Sequence, residues 1–483
     1  MAMTLTARLV MVLGTASGSG KSTIAMALCR MFSEQGFRVS PFKAINISLN
    51  SIVTRDGSEI ARAQWLQALA AGIMPEGRMN PYLIKYEGRC KGQLIENGKS
   101  LGSMTYKQIS GHLDLHGKEQ IRSAIDYLSR HFDVIVIEGS GSPAEINRES
   151  EDYANTFILN EYFPEAIIAS DIEFGGVFAA LYGTYLLTEN NDSIKWFVIN
   201  RMRGNPSVLR KGSDILENLT NMKLLGVIPR IENILLPGED GNDYAKSRYF
   251  GSDVCIIRYP MMENLSEVDP LPVFGINYFY LDRANDSLIK SARLIILPGS
   301  KDVPEDLKFL KESGIEKLIQ ERAKIGVKIL GICGGYQILG KEISLKDTRR
   351  KEEIALEGLG LLETKFAYST EKKLENLIFG LTSEIKDKST KTEGYEIHYG
   401  DVVENSDTPL FETSRGKEGS MNHSGNIFGT NIHGCLENTD FLNFIMGTDI
   451  QKSYAKELDR EIKRISTIII ESMEISKLNL KAS

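Results

Sequence analysis

The stretch Leu9-Val-Met-Val-Leu-Gly-Thr-Ala-Ser-Gly-Ser-Gly-Lys-Ser-Thr23 constrains this chain most, because it reads as an apolar strand, a glycine-rich turn and the opening of a helix. Such a turn is a phosphate cradle. Wrapping a triphosphate needs backbone N–H groups that point inward with no side chains in the way, which Gly14, Gly18 and Gly20 allow. Lys21 supplies a point charge, and Ser22 stands where a hydroxyl holds Mg²⁺ at the positive end of the helix. Five residues separate Gly14 from Gly20, one more than in the general pattern, so the loop is a variant. Gly14, Thr15, Ser17, Gly18, Gly20, Lys21, Ser22 and Thr23 are the candidate nucleotide-binding residues, with ATP and Mg²⁺ as the expected cofactors.

A chain of 483 residues is too long for one ordinary core and predicts two or three domains. Its 42% hydrophobic and 25% charged content is that of a soluble protein, and no apolar run is long enough to span a membrane. The first dozen residues lead straight into the loop, so they read as a strand rather than a signal peptide, and a cytoplasmic location is expected. A net charge of −7, with no basic surface interleaved with aromatics, argues against nucleic acid as a partner. Five cysteines without CxxC spacing argue against both a disulfide framework and a zinc site.

Beyond the loop, strand-like and helix-like stretches alternate, which predicts a doubly wound parallel sheet. Lys43 closes a short second strand, where ligands of such sheets bind. Residues 44–64 are polar without being repetitive, as in loops that recognise polar ligands. Leu113 to Arg130 reads as a helix. The apolar strand from Phe132 ends in Glu138, placed to polarise Mg²⁺ or its water shell. Further strands lie at 166–171, 196–201 and 223–229. The first domain is expected over residues 1–250. A second α/β rhythm begins at Val254 and runs through Pro272-Val-Phe-Gly, Leu294-Ile-Ile-Leu-Pro-Gly-Ser300 and the strand from Val327, giving a second domain over 251–445. A charged helical tail over 446–483 carries no motif.

Within Gly331-Ile-Cys-Gly-Gly-Tyr-Gln337 the cysteine stands on a tight turn between a strand and a helix, which is a nucleophile elbow. Cys333 is thereby exposed at a helix start that favours thiolate, and the Gly334 N–H can face an oxyanion. The loop Leu297-Pro-Gly-Ser300 offers a second donor at Gly299. His433 is the best candidate base, and His398 is the runner-up. These motifs resemble the class I glutamine amidotransferase domain, which implies that Cys333 attacks the glutamine amide and releases ammonia. That class usually has a glutamate two residues after the histidine. Cys435 occupies that position, leaving the group that orients His433 unassigned.

An ammonia source fused to an ATPase implies amidation of a carboxylate activated as an acyl phosphate. The chain resembles the cobyric acid synthase family nearly end to end, through Pro41-Phe-Lys43, Leu49-Asn50-Ser51, Arg62-Ala63-Gln64, Met79-Asn-Pro81, Ser142-Pro-Ala-Glu-Ile-Asn147, Gly175-Gly-Val-Phe-Ala179 and Gly394-Tyr-Glu-Ile-His398. The resemblance implies a dethiobiotin-synthetase-like P-loop domain followed by a glutamine-amidotransferase-like α/β domain. It implies amidation of the b, d, e and g side-chain carboxylates of adenosylcobyrinic acid a,c-diamide, with glutamine and ATP as the other small-molecule partners. A corrinoid bearing several carboxylates needs polar and cationic contacts, for which the candidates are Lys43, Asn46, Asn50, Arg62, Lys85 and Arg148. Phe174 departs from the arginine common before Gly175-Gly176 in the family. The alternatives are the sister a,c-diamide synthase and, from another class, a P-loop regulatory ATPase with a degenerate amidotransferase-like domain.

Overall fold

The computed structural model describes residues 6–86, 90–147, 152–238, 253–284, 287–347 and 352–478. Arg148 lies outside the described residues. The chain forms two compact units: residues 1–48, 59–236 and 458–483 make the first, and residues 49–58 and 237–457 the second. The segment Leu49–Ser58, expected in the first domain, counts with the second unit, and residues 458–483 of the tail count with the first.

In the first unit the strands are β1 (Arg8–Gly14), β2 (Val39–Phe42), β3 (Val134–Glu138), β4 (Glu165–Asp171), β5 (Ile194–Met202) and β6 (Lys223–Pro229). They form one parallel sheet in the order β6-β5-β4-β1-β3-β2. Residues Leu9 to Leu13 are all buried, as a central strand covered by helices on both faces requires. Pro41 is tolerated because β2 is an edge strand. Helix α1 (Lys21–Glu34) follows β1 directly and buries Ile24, Ala25, Leu28 and Phe32. Helix α2 (Arg62–Ala71) ends the polar stretch, and helix α3 (Tyr106–His131) precedes β3. Helix α3 starts seven residues before Leu113, because Thr105 and Gln108 form a capping box that satisfies its first N–H groups. A smaller four-stranded sheet packs the segments Ile45–Ile47, Tyr82–Tyr86, Lys91–Glu96 and Lys99–Thr105.

In the second unit β7 (Val254–Ile257), β8 (Tyr278–Leu281), β9 (Leu294–Leu297), β10 (Lys328–Ile332) and β13 (Ile427–Thr430) form a parallel sheet ordered β8-β7-β9-β10-β13, edged by the antiparallel pair Ser420–Met421. The apolar run at 272–275 is not a strand, since Pro270 opens a short helix, Pro270–Val273, and the strand comes after it. The long strands β11 (Lys365–Leu381) and β12 (Thr392–Glu404) pair antiparallel in a second sheet, which β14 (Ile432–His433) joins. Helix α4 (Gly334–Leu339) follows β10, as α1 follows β1 in the first unit. The tail forms helix α5 (Tyr454–Glu471), whose body from Leu458 onward counts with the first unit. Among the described residues no helix is long and apolar enough to cross a membrane.

Candidate active sites

The turn from Gly14 to Gly20 links the buried end of β1 to the first residue of α1, so the loop is held between two rigid elements. Thr15 is fixed by its N–H donating to the Ala169 carbonyl at 3.0 Å and by its hydroxyl, 2.9 Å from that of Ser170. Gly20 sits at φ 101°, and a Cβ there would meet the Asn200 amide at 2.1 Å, so only glycine fits. The Asn200 amide donates to the Ser19 carbonyl at 3.0 Å and props the loop from β5. Lys21 folds into the loop, donating to the Ala16 carbonyl at 3.0 Å and the Gly141 carbonyl at 2.9 Å. Ala16, Ser17 and Gly18 are exposed, which leaves the rim open to a ligand.

Glu138, wholly buried at the end of β3, collects the polar groups around this loop. The Ser22 hydroxyl donates to its Oε1 at 2.8 Å, and the Lys43 ammonium reaches the same oxygen at 2.7 Å. The amides of Gln64 and Gln67 donate to Oε2 at 3.2 and 2.6 Å. A buried carboxylate is tolerable when it is paired and fully hydrogen-bonded in this way. Sequence reasoning singled out Ser22, Lys43 and Glu138. It missed Gln67, which is one turn beyond Gln64 on α2 and is legible only once the helix is placed. The donor set around Ser22 and Glu138 is a hydroxyl and a carboxylate, hard oxygen ligands that suit Mg²⁺.

The other expected substrate contacts disperse. Asn46 donates to Gln64 Oε1 at 2.9 Å and so joins the Glu138 network through one side chain. Arg62 stacks on Trp65 with its guanidinium carbon 4.1 Å from the ring centroid. Lys85 is buried against Glu59 at 3.2 Å. Asn50 is in the second unit, wholly buried, with its Oδ1 accepting from the Leu265 N–H at 3.0 Å. Phe174 is exposed beside the glycine pair, while Arg201 pairs with Asp171 at 2.6 Å and Arg203 with Glu173 at 2.5 Å.

In the second unit Cys333 stands between β10 and α4 with φ 53° and ψ −111°, a strained backbone for a residue with a side chain, and its side chain is buried rather than exposed as expected of the elbow. Gly334 permits the turn, since a Cβ there would lie 2.6 Å from the Ser300 nitrogen. The loop carrying Gly299 and Ser300 is pinned by Asp306, which accepts from the Ser300 hydroxyl at 2.5 Å and the Met261 N–H at 3.0 Å. Burial pushes the Asp306 carboxyl up to about 6, against the pull of those two donors. Gly299 borders the histidine as well, a Cβ at that position falling 3.7 Å from His433 Cε1.

His433 is wholly buried on β14, and its Nδ1 lies 2.8 Å from Oε1 of Glu267. The other Glu267 oxygen accepts from the Gly434 N–H at 3.1 Å. Nε2 makes no hydrogen bond within ordinary reach among the described residues, although Cys333 acts on the imidazole, and the Cys333 thiol donates to the Ile397 carbonyl at 3.6 Å. Burial works against charge on this imidazole, but the Glu267 carboxylate and Cys333 outweigh it and push the group up to about 10. Tyr395 stacks on the ring at 5.1 Å between centroids and 13° between planes. Cys435, where a glutamate is usual, is buried with its thiol pushed well up, and burial is the main cause. The carboxylate therefore arrives from elsewhere in the chain. Sequence reasoning missed Glu267 because 166 residues separate it from His433, and no local motif marks it. His398 lies 3.6 Å from the Glu396 carboxylate, beside Tyr336, Lys373 and Glu418.

Cysteine, histidine and carboxylate in this order can form a thiolate, hold the imidazole in one tautomer and return a proton to a leaving amine. Comparison with known proteins finds a family match over each half of the chain. Residues 10–242 match the family described as CobQ/CobB/MinD/ParA nucleotide binding domain, and residues 253–441 the CobB/CobQ-like glutamine amidotransferase domain. A protein of Thermoplasma acidophilum named "Probable cobyric acid synthase" is 45% identical over 470 residues, spanning 97% of this chain and 98% of that one. One of the same name from Picrophilus torridus is 44% identical over 470 residues, with the same coverage of both chains. A "Cobyric acid synthase" of Dehalococcoides mccartyi is 36% identical over 498 residues, covering 98% of each chain.

Proposed function

Since the chain belongs to the cobyric acid synthase family, we propose that it amidates the b, d, e and g carboxylates of adenosylcobyrinic acid a,c-diamide, using ATP and glutamine. The observation that carries this reading is the Cys333, His433 and Glu267 constellation in a chain that also holds a phosphate loop closed on Glu138. The Cys333 thiolate attacks the glutamine carboxamide carbon, and the backbone N–H groups of Gly334 and the Gly299 loop face the developing oxyanion. Imidazolium His433, steadied by Glu267, gives its proton to the departing ammonia and then takes one from the water that hydrolyses the thioester. Glutamate leaves and the thiol is restored.

Ammonia released in the second unit is consumed in the first. There Lys21 and the loop N–H groups hold the triphosphate, and Ser22 and Glu138 would hold Mg²⁺, which would supply charge neutralisation for the transferred phosphoryl group. Lys43, now on Glu138, is the cation within reach of the same carboxylate and is suited to steady the transferred phosphoryl group or the corrinoid carboxylate. The amide forms when ammonia displaces phosphate from the acyl phosphate.

Glu267 also counts against a regulatory ATPase with a degenerate amidotransferase-like domain, because it offers His433 the carboxylate that the position of Cys435 lacks. Mass spectrometry of the corrinoid tests the proposal, with purified protein, Mg²⁺-ATP and either glutamine or an ammonium salt. Four successive carboxylate-to-amide conversions are expected. In Cys333→Ala they are lost with glutamine and restored by ammonium. No mass change with either nitrogen source would overturn the substrate assignment, and two conversions would point to the sister enzyme.

A further inference from the structure

The polar stretch after β2 does not stay in the nucleotide-binding unit. The chain leaves that unit after Ser48 and rejoins it at Glu59, and Leu49–Ser58 packs within the glutaminase unit. Its contacts there converge on the two supports of His433. Asn50, wholly buried, accepts from the Leu265 N–H at 3.0 Å, two residues before Glu267 in the short helical turn Leu265–Val268. The Asn50 amide also reaches the Gly238 carbonyl at 3.4 Å. The Ser51 carbonyl accepts from the Tyr395 hydroxyl at 3.1 Å, and the Tyr395 ring is the one stacked on His433. The Val53 carbonyl accepts from Asn376 at 3.3 Å, and the Val53 side chain packs with Tyr395 and Ile397. Arg55 grips both oxygens of Glu393, at 2.8 and 2.6 Å, on the same strand as Tyr395.

We propose that Leu49–Ser58 is a positioning element for glutamine hydrolysis, in which Asn50 sets the turn bearing Glu267 and the Ser51 carbonyl sets the Tyr395 ring against His433. The inference rests on the glutaminase reading of Cys333. Its physical basis is that imidazole must be held to within a fraction of an ångström while its partners exchange a proton, and a turn of four residues has little rigidity of its own. Asn50 supplies the acceptor that the Leu265 N–H would otherwise lack, and Ser51 fixes the ring that bounds the imidazole face. Neither residue touches glutamine or the thiol. They act through Glu267 and Tyr395, so their removal lowers turnover rather than glutamine affinity. The segment is continuous in sequence with Asn46, one of the expected corrinoid contacts, and with Glu59, which pairs with another, Lys85.

The test is steady-state glutamate release by the full-length protein, alongside amidation supported by an ammonium salt. Asn50→Leu and Tyr395→Phe are each expected to lower kcat for glutamine about 10- to 100-fold with KM changed less than about threefold, and Tyr395→Phe is expected to retain ammonium-supported amidation. Asn50→Asp keeps an acceptor for the Leu265 N–H and is expected to retain more activity than Asn50→Leu. Tyr395→Phe keeps the ring and removes only the hydroxyl, so it remains informative should Asn50→Leu fail to fold. Wild-type turnover in both Asn50→Leu and Tyr395→Phe, or a rise in KM with kcat intact, would overturn the positioning role. Absence of glutamate release by the wild-type protein would instead overturn the glutaminase reading itself, so the two failures are distinguishable.

Discussion

Glu267 supplies the negative charge on which the state of His433 depends. It meets Nδ1 at 2.8 Å where both side chains are almost fully removed from water. In such a place a charge is worth far more than at the surface. Glu267→Gln preserves shape and one acceptor but removes the charge, so the imidazolium loses its main support against burial. Glutamine turnover is expected to fall on the order of 100-fold or more. The alkaline limb of kcat/KM is expected to move to lower pH, because the imidazolium now held up to about 10 loses its proton sooner. A pH–rate profile of glutamate release checks both. Stability has the same origin. The folded-state value lies above the ordinary 6.5, so the charge on His433 stabilises the fold fully below about pH 6.5, and that contribution is lost as pH rises toward about 10. Thermal unfolding of the wild type should therefore weaken across that window more steeply than that of Glu267→Gln. In the other unit Glu138→Gln removes the charge that gathers Ser22 and Lys43. Amidation should fall about 100- to 1,000-fold with glutamine and with ammonium alike, and glutamate release should persist. Of these residues, Glu138 was legible because it ends an apolar strand, and Cys333 and His433 because glycine turns surround them. Glu267 was not, because a partner brought in by tertiary folding leaves no spacing to read.

At the scale of elements, both chemical centres use one device, a strand that stops at a glycine turn and hands the chain to a helix. The device is local, and it was the most readable part of the sequence. In the first unit it leaves backbone N–H groups free for phosphate. In the second it forces Cys333 into a backbone conformation that costs about 1–3 kcal/mol and survives only because the surroundings leave no alternative. Gly334→Ala tests how tightly those surroundings fit. Its methyl group would press on backbone and Cβ atoms of Ser300, which Asp306 holds in place. Overpacking of this kind typically costs about 1–3 kcal/mol. The expected outcome is loss of glutamate release and a lower melting temperature, with ammonium-supported amidation retained, read by calorimetry and by the corrinoid mass assay. The less readable elements lack a repeating pattern. The stretch 44–64 looked like a recognition loop, yet it divides among short strands, a crossing to the second unit and the start of α2. Nothing in its polar composition marks Asn50 as a residue that spends its side chain on a distant backbone amide.

For the whole molecule, the C-terminal segment is the largest departure from a linear reading, because it returns to the unit where the chain began. Helix α5 has an apolar row at Leu458, Ile462, Ile465 and Ile469, spaced three to four apart, and all four side chains are buried. The chain beyond it adds a strand-like bridge between Met473 and Gly226. The Glu474 N–H donates to the Leu225 carbonyl at 2.8 Å, and Lys477 donates to that of Leu224 at 2.8 Å. Asp459 pairs with Arg30 of α1 at 2.9 Å. The helical periodicity was visible in the sequence, but the destination of the tail was not, since Arg30 of α1, which pairs with Asp459, and the β6 carbonyls met by Glu474 and Lys477 lie more than 200 residues earlier in the chain. Burying one such aliphatic side chain is worth about 1.5–3 kcal/mol, so four contribute on the order of 6–12 kcal/mol before the entropy of ordering the helix is subtracted. That gross figure is comparable with the whole net stability of a typical domain, about 5–15 kcal/mol. The tail is therefore structural to the nucleotide-binding unit. Ending the chain at residue 457 is expected to lower the melting temperature of that unit by about 10 °C or more and to abolish ammonium-supported amidation. Glutamate release, whose residues all lie before 458, should largely survive. Differential scanning calorimetry with and without ATP would separate the two transitions. A truncated protein that still amidates with ammonium and melts as the full chain does would show that the first unit is complete without its returning helix.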